Sequence, residues 1–300
     1  MSSEKTIVTV GSFDGVHLGH QFLLQRMADL AQQHSLKSVA ITFWPHPRKM
    51  LDNEQDINFY LNTHPERMKL LKQCGVDEVV ALPFNESLAQ MTAPKFIKDV
   101  VVKKFNAHYL IVGQDHQFGN GRGGNAQNLS KIAAKNNLLV DIVDLKTFDR
   151  KISSSEIREA LLAGDLASAN QMLGYPYIIS GYVLEGNRLG RTIGFPTANI
   201  NAPGYKLLPK DGVYRVKVKT EGDDAFEHTG MLFIGKRTVL KQEDSAAQVE
   251  VNIFDFDKEI YGQKIMVGLT HRIRDDIKFD SIEKLAQQLH IDKLKIKNQK

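Results

Sequence analysis

Five apolar runs alternate with helix-patterned stretches over the first half of the chain, and this alternation restricts the fold most. The runs are TIVTV at 6–10, SVAITFW at 38–44, VDEVVAL at 76–82, HYLIVG at 108–113 and LLVDIVDL at 138–145. Between them lie residues 18–34, PERMKLLKQCG at 65–75, APKFIKDVVVKKF at 93–105 and NAQNLSKIAAKN at 125–136. Strands joined through helices need crossover connections, and these produce a parallel sheet covered on both faces. Near residue 175 the pattern changes. YIISGYVL, GVYRVKVKT, TGMLFIG, QVEVNIFDF and KIMVGLTHRI follow one another through glycine, asparagine and aspartate turns. Short strands without intervening helices predict an antiparallel barrel. DSIEKLAQQLHI then reads as an amphipathic helix capped by Asp280 or Ser281, and the lysine-rich tail DKLKIKNQK is expected to fray. Two domains are expected, 1–175 and 176–300.

Composition narrows the functional classes. A formal net charge of +4 on 300 residues suits a protein that handles anions, but the lysines are scattered rather than striped, so no nucleic-acid partner is expected. No window resembles a membrane helix or signal peptide, and no membrane partner is expected. The single cysteine, Cys74, permits no intrachain disulfide and fits a reducing, cytoplasmic compartment, with packing as its expected role. Nothing in the sequence fixes the oligomeric state.

The stretch GSFDGVHLGH at 11–20 follows the first strand directly. His17 and His20 are three apart, which puts both rings on one face of a helix. They would stand at a helix N-terminus on the carboxyl edge of the parallel sheet, where open α/β folds bind ligands and where free N–H groups favour phosphate. A zinc-protease pair needs histidines four apart with a glutamate between, so that chemistry is excluded. In KISSSEIREAL, Ser153 and Glu156 form a capping box, while Arg158 opposes the helix dipole unless an anion binds there. GNGRGG at 119–124 matches G-x-G-x-x-G literally, with Asp141 or Asp144 as the ribose acid. It follows the fourth strand and not the first, and QDHQF intervenes, so a loop near substrate is the better reading.

These motifs carry a resemblance. HxGH resembles the signature of the nucleotidyltransferase superfamily, which binds the β- and γ-phosphates of a nucleoside triphosphate. VGSFDGVHLGH together with TFWPHPRKML and KISSSEIR resembles the prokaryotic bifunctional riboflavin kinase/FAD synthetase family. The resemblance implies a Rossmann-like nucleotidyltransferase domain followed by a riboflavin-kinase-like antiparallel β-barrel with a C-terminal helix. It implies an ATP site for adenylylation at Gly11, Phe13, Asp14, Gly15, His17, Gly19, His20, Ser153, Ser154 and Arg158. Flavin contacts are implied at Pro45, His46, Asp115 and Phe118. Gln114 and Gln117 stand where the family commonly has an aromatic residue and an arginine.

The second cluster, GNRLGRTIGFPTANI at 186–200, spaces Gly186, Gly190 and Gly194 four apart. It is not a Walker A loop, yet these glycines permit close backbone approach to a polyphosphate. Thr197 offers a hydroxyl and Asn199 an amide oxygen for Mg²⁺. GxxxGxxxGFPTAN resembles the flavokinase module, where it holds ATP and Mg²⁺, and the resemblance extends to DGVYRV, VEVNIFDFDKEIYGQ and RIRDDIKFDSIEKL. By that resemblance Gly186, Gly190, Gly194, Pro196, Thr197 and Asn199 bind ATP, Thr197 and Asn199 the metal, and Arg274 and Asp275 approach the flavin. Glu250 is then the general base that takes the proton of a ribityl hydroxyl. Phe233 stands where the family commonly has asparagine, and Thr238 lacks a preceding proline. The expected activities are phosphorylation of riboflavin to FMN and adenylylation of FMN to FAD, with ATP as co-substrate. The alternatives are one live activity alone, or a non-catalytic flavin-binding regulator.

Overall fold

The computed structural model describes residues 4–47, 59–114, 119, 126–144, 152–186, 189–235 and 248–298. The chain divides into two compact units, 1–56 with 64–153, and 57–63 with 154–300.

The first unit is a five-stranded parallel sheet. Its elements are β1 (Thr6–Val10), α1 (Leu18–His34), β2 (Lys37–Trp44), α2 (His64–Gln73), β3 (Glu78–Pro83), α3 (residues 93–105), β4 (Ala107–Gly113), α4 (Ala126–Ala134) and β5 (Leu139–Val143). The strand order is β3-β2-β1-β4-β5, with β1 paired in parallel to both β2 and β4. β1 is buried along its whole length because helices cover both faces. Its side chains alternate between them. Ile7 packs with Leu23, Leu24, Met27 and Leu30 of α1, while Val8 and Val10 pack with Phe96, Ile97 and Val101 of α3. The sequence pattern predicts all five strands. It does not predict the π-helical turn Ile97–Val102 inside α3.

Order of connection places the ligand edge. The chain leaves β1 toward β2 on one side and enters β4 on the other, so β1 and β4 flank the point where strand order reverses. Open α/β sheets bind ligands at the carboxyl ends of strands at such a point. The segment 11–17 leaves the carboxyl end of β1 there.

The second unit begins with α5 (Ser154–Ala163) and α6 (Leu166–Leu173). Asp165 caps α6 by accepting from the Ser168 amide at 3.0 Å, and Gly174 ends it in the left-handed conformation. Asn170 of α6 donates to the Leu269 carbonyl and accepts from the Tyr177 amide, both at 2.8 Å, so α6 is fastened to the strands that follow. Those strands are β6 (Tyr177–Leu184), β7 (Ala198–Asn201), β8 (Gly212–Lys219), β9 (His228–Gly235), β10 (Gln248–Ile253) and β11 (Lys264–Asp275), and α7 (Ile282–Asn298) closes the chain. They form a closed antiparallel barrel in the order β10-β7-β6-β11-β8-β9. The sequence reading lacks β7, because its four residues lie inside the TAN motif. Ser281 rather than Asp280 caps α7, accepting from the Lys284 amide at 3.3 Å. The expectation of a frayed tail fails. α7 continues through Asn298, and Asp292 and Ile296 are buried, while Lys293 lies 5.2 Å from the Phe254 ring centroid and Lys297 meets Asp255 at 3.3 Å.

Residues 59–63 also belong to this unit. The Phe59 and Tyr60 amides donate to the Tyr205 carbonyl, Leu207 donates back to Tyr60, and the buried Lys206 ammonium donates to the Leu61 carbonyl.

Candidate active sites

In the first unit, the loop between β1 and α1 is held in an unusual backbone. Gly15 has φ 85°, which glycine adopts freely, but Phe13 at 49° and Val16 at 34° do not. A positive φ at a β-branched residue is strained and persists only where its surroundings enforce it. The Gly11 amide donates to the Ile41 carbonyl at 3.0 Å, and Gln21 Nε2 donates to the Val16 carbonyl at 2.8 Å. Phe13 and Asp14 are buried at 2% and 1% exposure.

This loop delivers the two histidines together. The His17 and His20 rings stack with centroids 3.7 Å apart and planes 18° apart, and Phe13 meets His20 edge-on at 5.2 Å. His17 is the N-cap of α1, whose first turn contains no acidic residue. Gly19 is buried in that same turn. Amide N–H groups, the positive helix end and two imidazoles therefore converge on one spot. Such a place favours an anion with several oxygens and can stabilise charge that builds on it.

A residue absent from the sequence reading supports the loop from behind. Arg67 of α2 is fully buried, and its guanidinium donates to the Ser12 carbonyl at 3.0 Å and to the Phe43 carbonyl at 2.7 Å. Thr42 Oγ1 donates to the same Ser12 carbonyl at 3.1 Å. Burial, and secondarily the Arg67 charge, lower the pKa of His64 at the start of α2. Nothing in PERMKLL distinguishes Arg67 from a solvent-facing arginine.

Pro45 and His46 leave the carboxyl end of β2 and are partly exposed, at the ligand edge of the sheet. Gln114 follows β4, its amide bonded to the Val143 carbonyl. Asp115, Gln117 and Phe118 lie outside the described residues, as does GNGRGG apart from Gly119. Asp141 is engaged by Arg26 at 3.3 Å. Ser153 directly precedes α5, and Ser154 opens it. Arg158 lies in the second unit, where Nε donates to the Phe59 carbonyl at 2.9 Å and the guanidinium stacks 3.9 Å over the Phe59 ring.

In the barrel, Glu250 of β10 lies opposite Asn199 of β7 and Phe233 of β9. Alternation alone leaves Glu250 free to face solvent, but its exposure is 6%. It faces a largely apolar cavity lined by Phe195, Val213, Met231, Phe233, Ile277 and Leu289. Thr197, Asn252, Arg274 and Asp276 supply its polar wall. Thr197 Oγ1 donates to Glu250 Oε2 at 3.2 Å, and Asn252 Nδ2 donates to the Pro196 carbonyl at 2.7 Å. Thr197 also lines a second depression with Arg191, Lys258 and Tyr261, so this residue borders both. An apolar cavity with a few convergent polar groups is the usual form of a site for a flat organic ligand.

Two glycines of the cluster are required by close packing. A Cβ on Gly186 would lie 2.0 Å from the Asn199 amide nitrogen, and a Cβ on Gly190 would lie 2.1 Å from the Phe195 carbonyl oxygen. Gly194 adopts φ 78° and turns the chain into Phe195 and Pro196. The Gly186 cradle holds the Asn199 side chain. The hydroxyl of Thr197 and the amide oxygen of Asn199 are hard oxygen donors, of the kind that fits Mg²⁺.

Arg274 and Asp275 behave differently from each other. Arg274 lines the cavity, and its Nε donates to Asp292 Oδ2 at 2.8 Å. Asp292 is fully buried and also accepts from Gln288 at 2.9 Å, so an ionic network seats α7 against β11. Asp275 instead meets Arg272 at 2.7 Å and Lys210 at 3.2 Å, and these cations hold its carboxyl below the usual range. Its neighbour Asp276, absent from the sequence reading, lines the cavity, and burial pushes its carboxyl up.

Comparison with known proteins places both units. A family model described as FAD synthetase matches residues 1–156, and one described as riboflavin kinase matches residues 173–299. The bifunctional riboflavin kinase/FMN adenylyltransferase of Listeria monocytogenes is 37% identical over 287 residues, covering 95% of this chain and 90% of the relative. That of Escherichia coli K12 is 36% identical over 294 residues, covering 97% and 91%. A crystal structure described as a macrolide-efflux protein from Streptococcus pneumoniae has a TM-score of 0.88 at 35% identity, covering 100% of this chain and 96% of that one. Among the described residues, no helix is long and apolar enough to cross a membrane.

Proposed function

The chain belongs to the bifunctional riboflavin kinase/FMN adenylyltransferase family, with both activities, and from that premise we propose how its residues divide the two reactions. Riboflavin, FMN, FAD and ATP are the substrates and products of those activities.

Residues 176–300 carry the phosphorylation. The isoalloxazine ring lies in the apolar cavity beside Phe195 and Phe233, with the ribityl chain directed at Glu250. Glu250 takes the proton of the terminal hydroxyl as that oxygen bonds to the γ-phosphorus of ATP, and ADP leaves. Position favours this role, because Glu250 faces the cavity and is held there by the Thr197 hydroxyl at 3.2 Å. The glycine cluster and Pro196 form the triphosphate cradle. Thr197 and Asn199 would hold Mg²⁺, which when bound neutralises charge on the transferring phosphoryl group. Arg274 and Asp276 face the flavin from β11 and the segment after it, while Asp275 orders Arg272 and Lys210.

Residues 1–175 carry the adenylylation. A phosphate oxygen of FMN attacks the α-phosphorus of ATP, the α–β bridging bond breaks and pyrophosphate leaves. FMN already carries an anionic oxygen, so no protein nucleophile is needed. Gly11, Phe13, Asp14, Gly15 and Gly19 shape the loop, and His17 and His20 donate N–H to the departing pyrophosphate. Ser153, Ser154 and Arg158 are assigned to the same step on their sequence element alone, and Pro45 and His46 to flavin. The work is done in the cytoplasm, a place consistent with ATP as co-substrate and with a single cysteine.

The observation that carries this reading is a buried glutamate facing an apolar cavity, hydrogen-bonded to the threonine of the glycine cluster. The test is product analysis with riboflavin, ATP and Mg²⁺. Glu250→Ala should stop FMN formation and leave FAD formation from added FMN intact. Full-rate phosphorylation in that variant would overturn the assignment.

A further inference from the structure

We propose that Arg67 is a positioning residue for adenylyl transfer, holding the backbone of the histidine loop so that His17 and His20 meet the leaving pyrophosphate. This rests on the reading that the loop carries that reaction. Arg67 bridges the chain leaving β1, at the Ser12 carbonyl, and the chain near the end of β2, at the Phe43 carbonyl, with distances of 3.0 and 2.7 Å. Both carbonyls lie at the carboxyl edge of the sheet, and Arg67 reaches them from a helix, a rigid support. The guanidinium also stands 5.8 Å from the centroid of the Trp44 ring.

Three physical points separate this role from plain packing. Burying an arginine side chain completely is costly, and an apolar side chain would fill the space without that cost. The Ser12 carbonyl that Arg67 grips immediately precedes Phe13, and the positive φ values at Phe13 and Val16 need an external constraint to persist. Arg67 and Thr42 are two such constraints, joined at one oxygen atom. Arg67 also places a buried positive charge against the carbonyl of Ser12, at the start of the loop that leads to His17 and His20. Lysine cannot reproduce the fork, because a single ammonium does not span two carbonyls in the guanidinium geometry.

The riboflavin kinase activity of the same polypeptide serves as an internal control for folding. In Arg67→Lys, kcat for FAD formation from FMN should fall about a hundredfold, the loss expected when reacting groups are displaced by about an ångström. The KM for FMN and the kinase kcat should stay within about twofold of the parent. Thr42→Val removes one hydroxyl at nearly constant volume and should lower the same kcat by about three- to tenfold, again without the kinase. An unchanged FAD-forming kcat in Arg67→Lys would overturn the proposal. So would a parallel loss of both activities, or a loss confined to KM, since these mark a general structural role. His20→Ala in the same series keeps the two claims apart. FAD formation surviving in His20→Ala refutes the reading of the site, whereas its loss there alongside an unaffected Arg67→Lys refutes only the role of Arg67.

Discussion

Replacing Glu250 by glutamine isolates the charge of that side chain from its shape. Glutamine has the same length and keeps an oxygen that can accept from Thr197 Oγ1, now 3.2 Å from Glu250 Oε2. The Pro196–Thr197 segment is held separately, through Asn252, so the glycine cluster should not move. What disappears is the proton acceptor. A positioned general base contributes roughly 10²- to 10⁴-fold. That corresponds to about 2.7–5.5 kcal/mol in the barrier for phosphorylating riboflavin. Glutamine fills the same volume at this 6% exposed position, so the barrel should stay folded. The assay follows FMN from riboflavin and ATP by separation of flavins, with FAD from supplied FMN as control in the same sample. The expected result is a kinase kcat reduced at least about a hundredfold with unchanged adenylylation. A kinase kcat within about threefold of the parent would refute the reasoning, because a carboxylate in the role of base cannot be dispensed with so cheaply.

Other expectations follow from the same geometry. Gly186→Ala puts a Cβ 2.0 Å from the Asn199 amide, so the kinase rate should fall by roughly tenfold or more while adenylylation stays constant, read from the two product rates. Asp292→Ala removes a fully buried partner of Arg274 and should cost about 3–5 kcal/mol in denaturant unfolding, with a raised KM for riboflavin because Arg274 lines the cavity. Ser38 donates both its hydroxyl and its amide to Asp77, which lowers the Asp77 pKa below 3.8. The unfolded chain therefore takes up that proton first as pH falls, and the stability Asp77 contributes above about pH 4 is lost through the lowered folded value. Acid titration of Tm should show a shallower decline in Asp77→Asn than in the parent.

Much of the architecture is legible from hydrophobic pattern. TIVTV and HYLIVG are continuous apolar runs because both faces of their strands are covered, and that continuity is what separates a parallel sheet from a half-solvated one. The barrel strands are legible from alternation, except β7, whose four residues read as a binding motif and carry too few side chains to show a period. The π turn in α3 leaves no trace in sequence, since its apolar spacing also suits an ordinary helix. The tail of α7 misleads because charge dominates its composition, while its anchors are only Asp292 and Ile296.

The histidine pair is legible because its spacing and its place after a strand are both local facts. Arg67 is not, since its burial depends on the carbonyls of Ser12 and Phe43, which lie 55 and 24 residues away along the chain. The same holds for Asp275 and Asp276. Asp275 ends β11 and Asp276 follows it, and the register of β11 with β8 and the path into α7 decide which of them lines the cavity.

The most direct test of two separate sites is a time course of flavins made by His20→Ala from riboflavin, ATP and Mg²⁺. The account predicts that FMN accumulates at the parental rate and FAD does not form. FAD appearing at the parental rate, or FMN failing to appear, would contradict it.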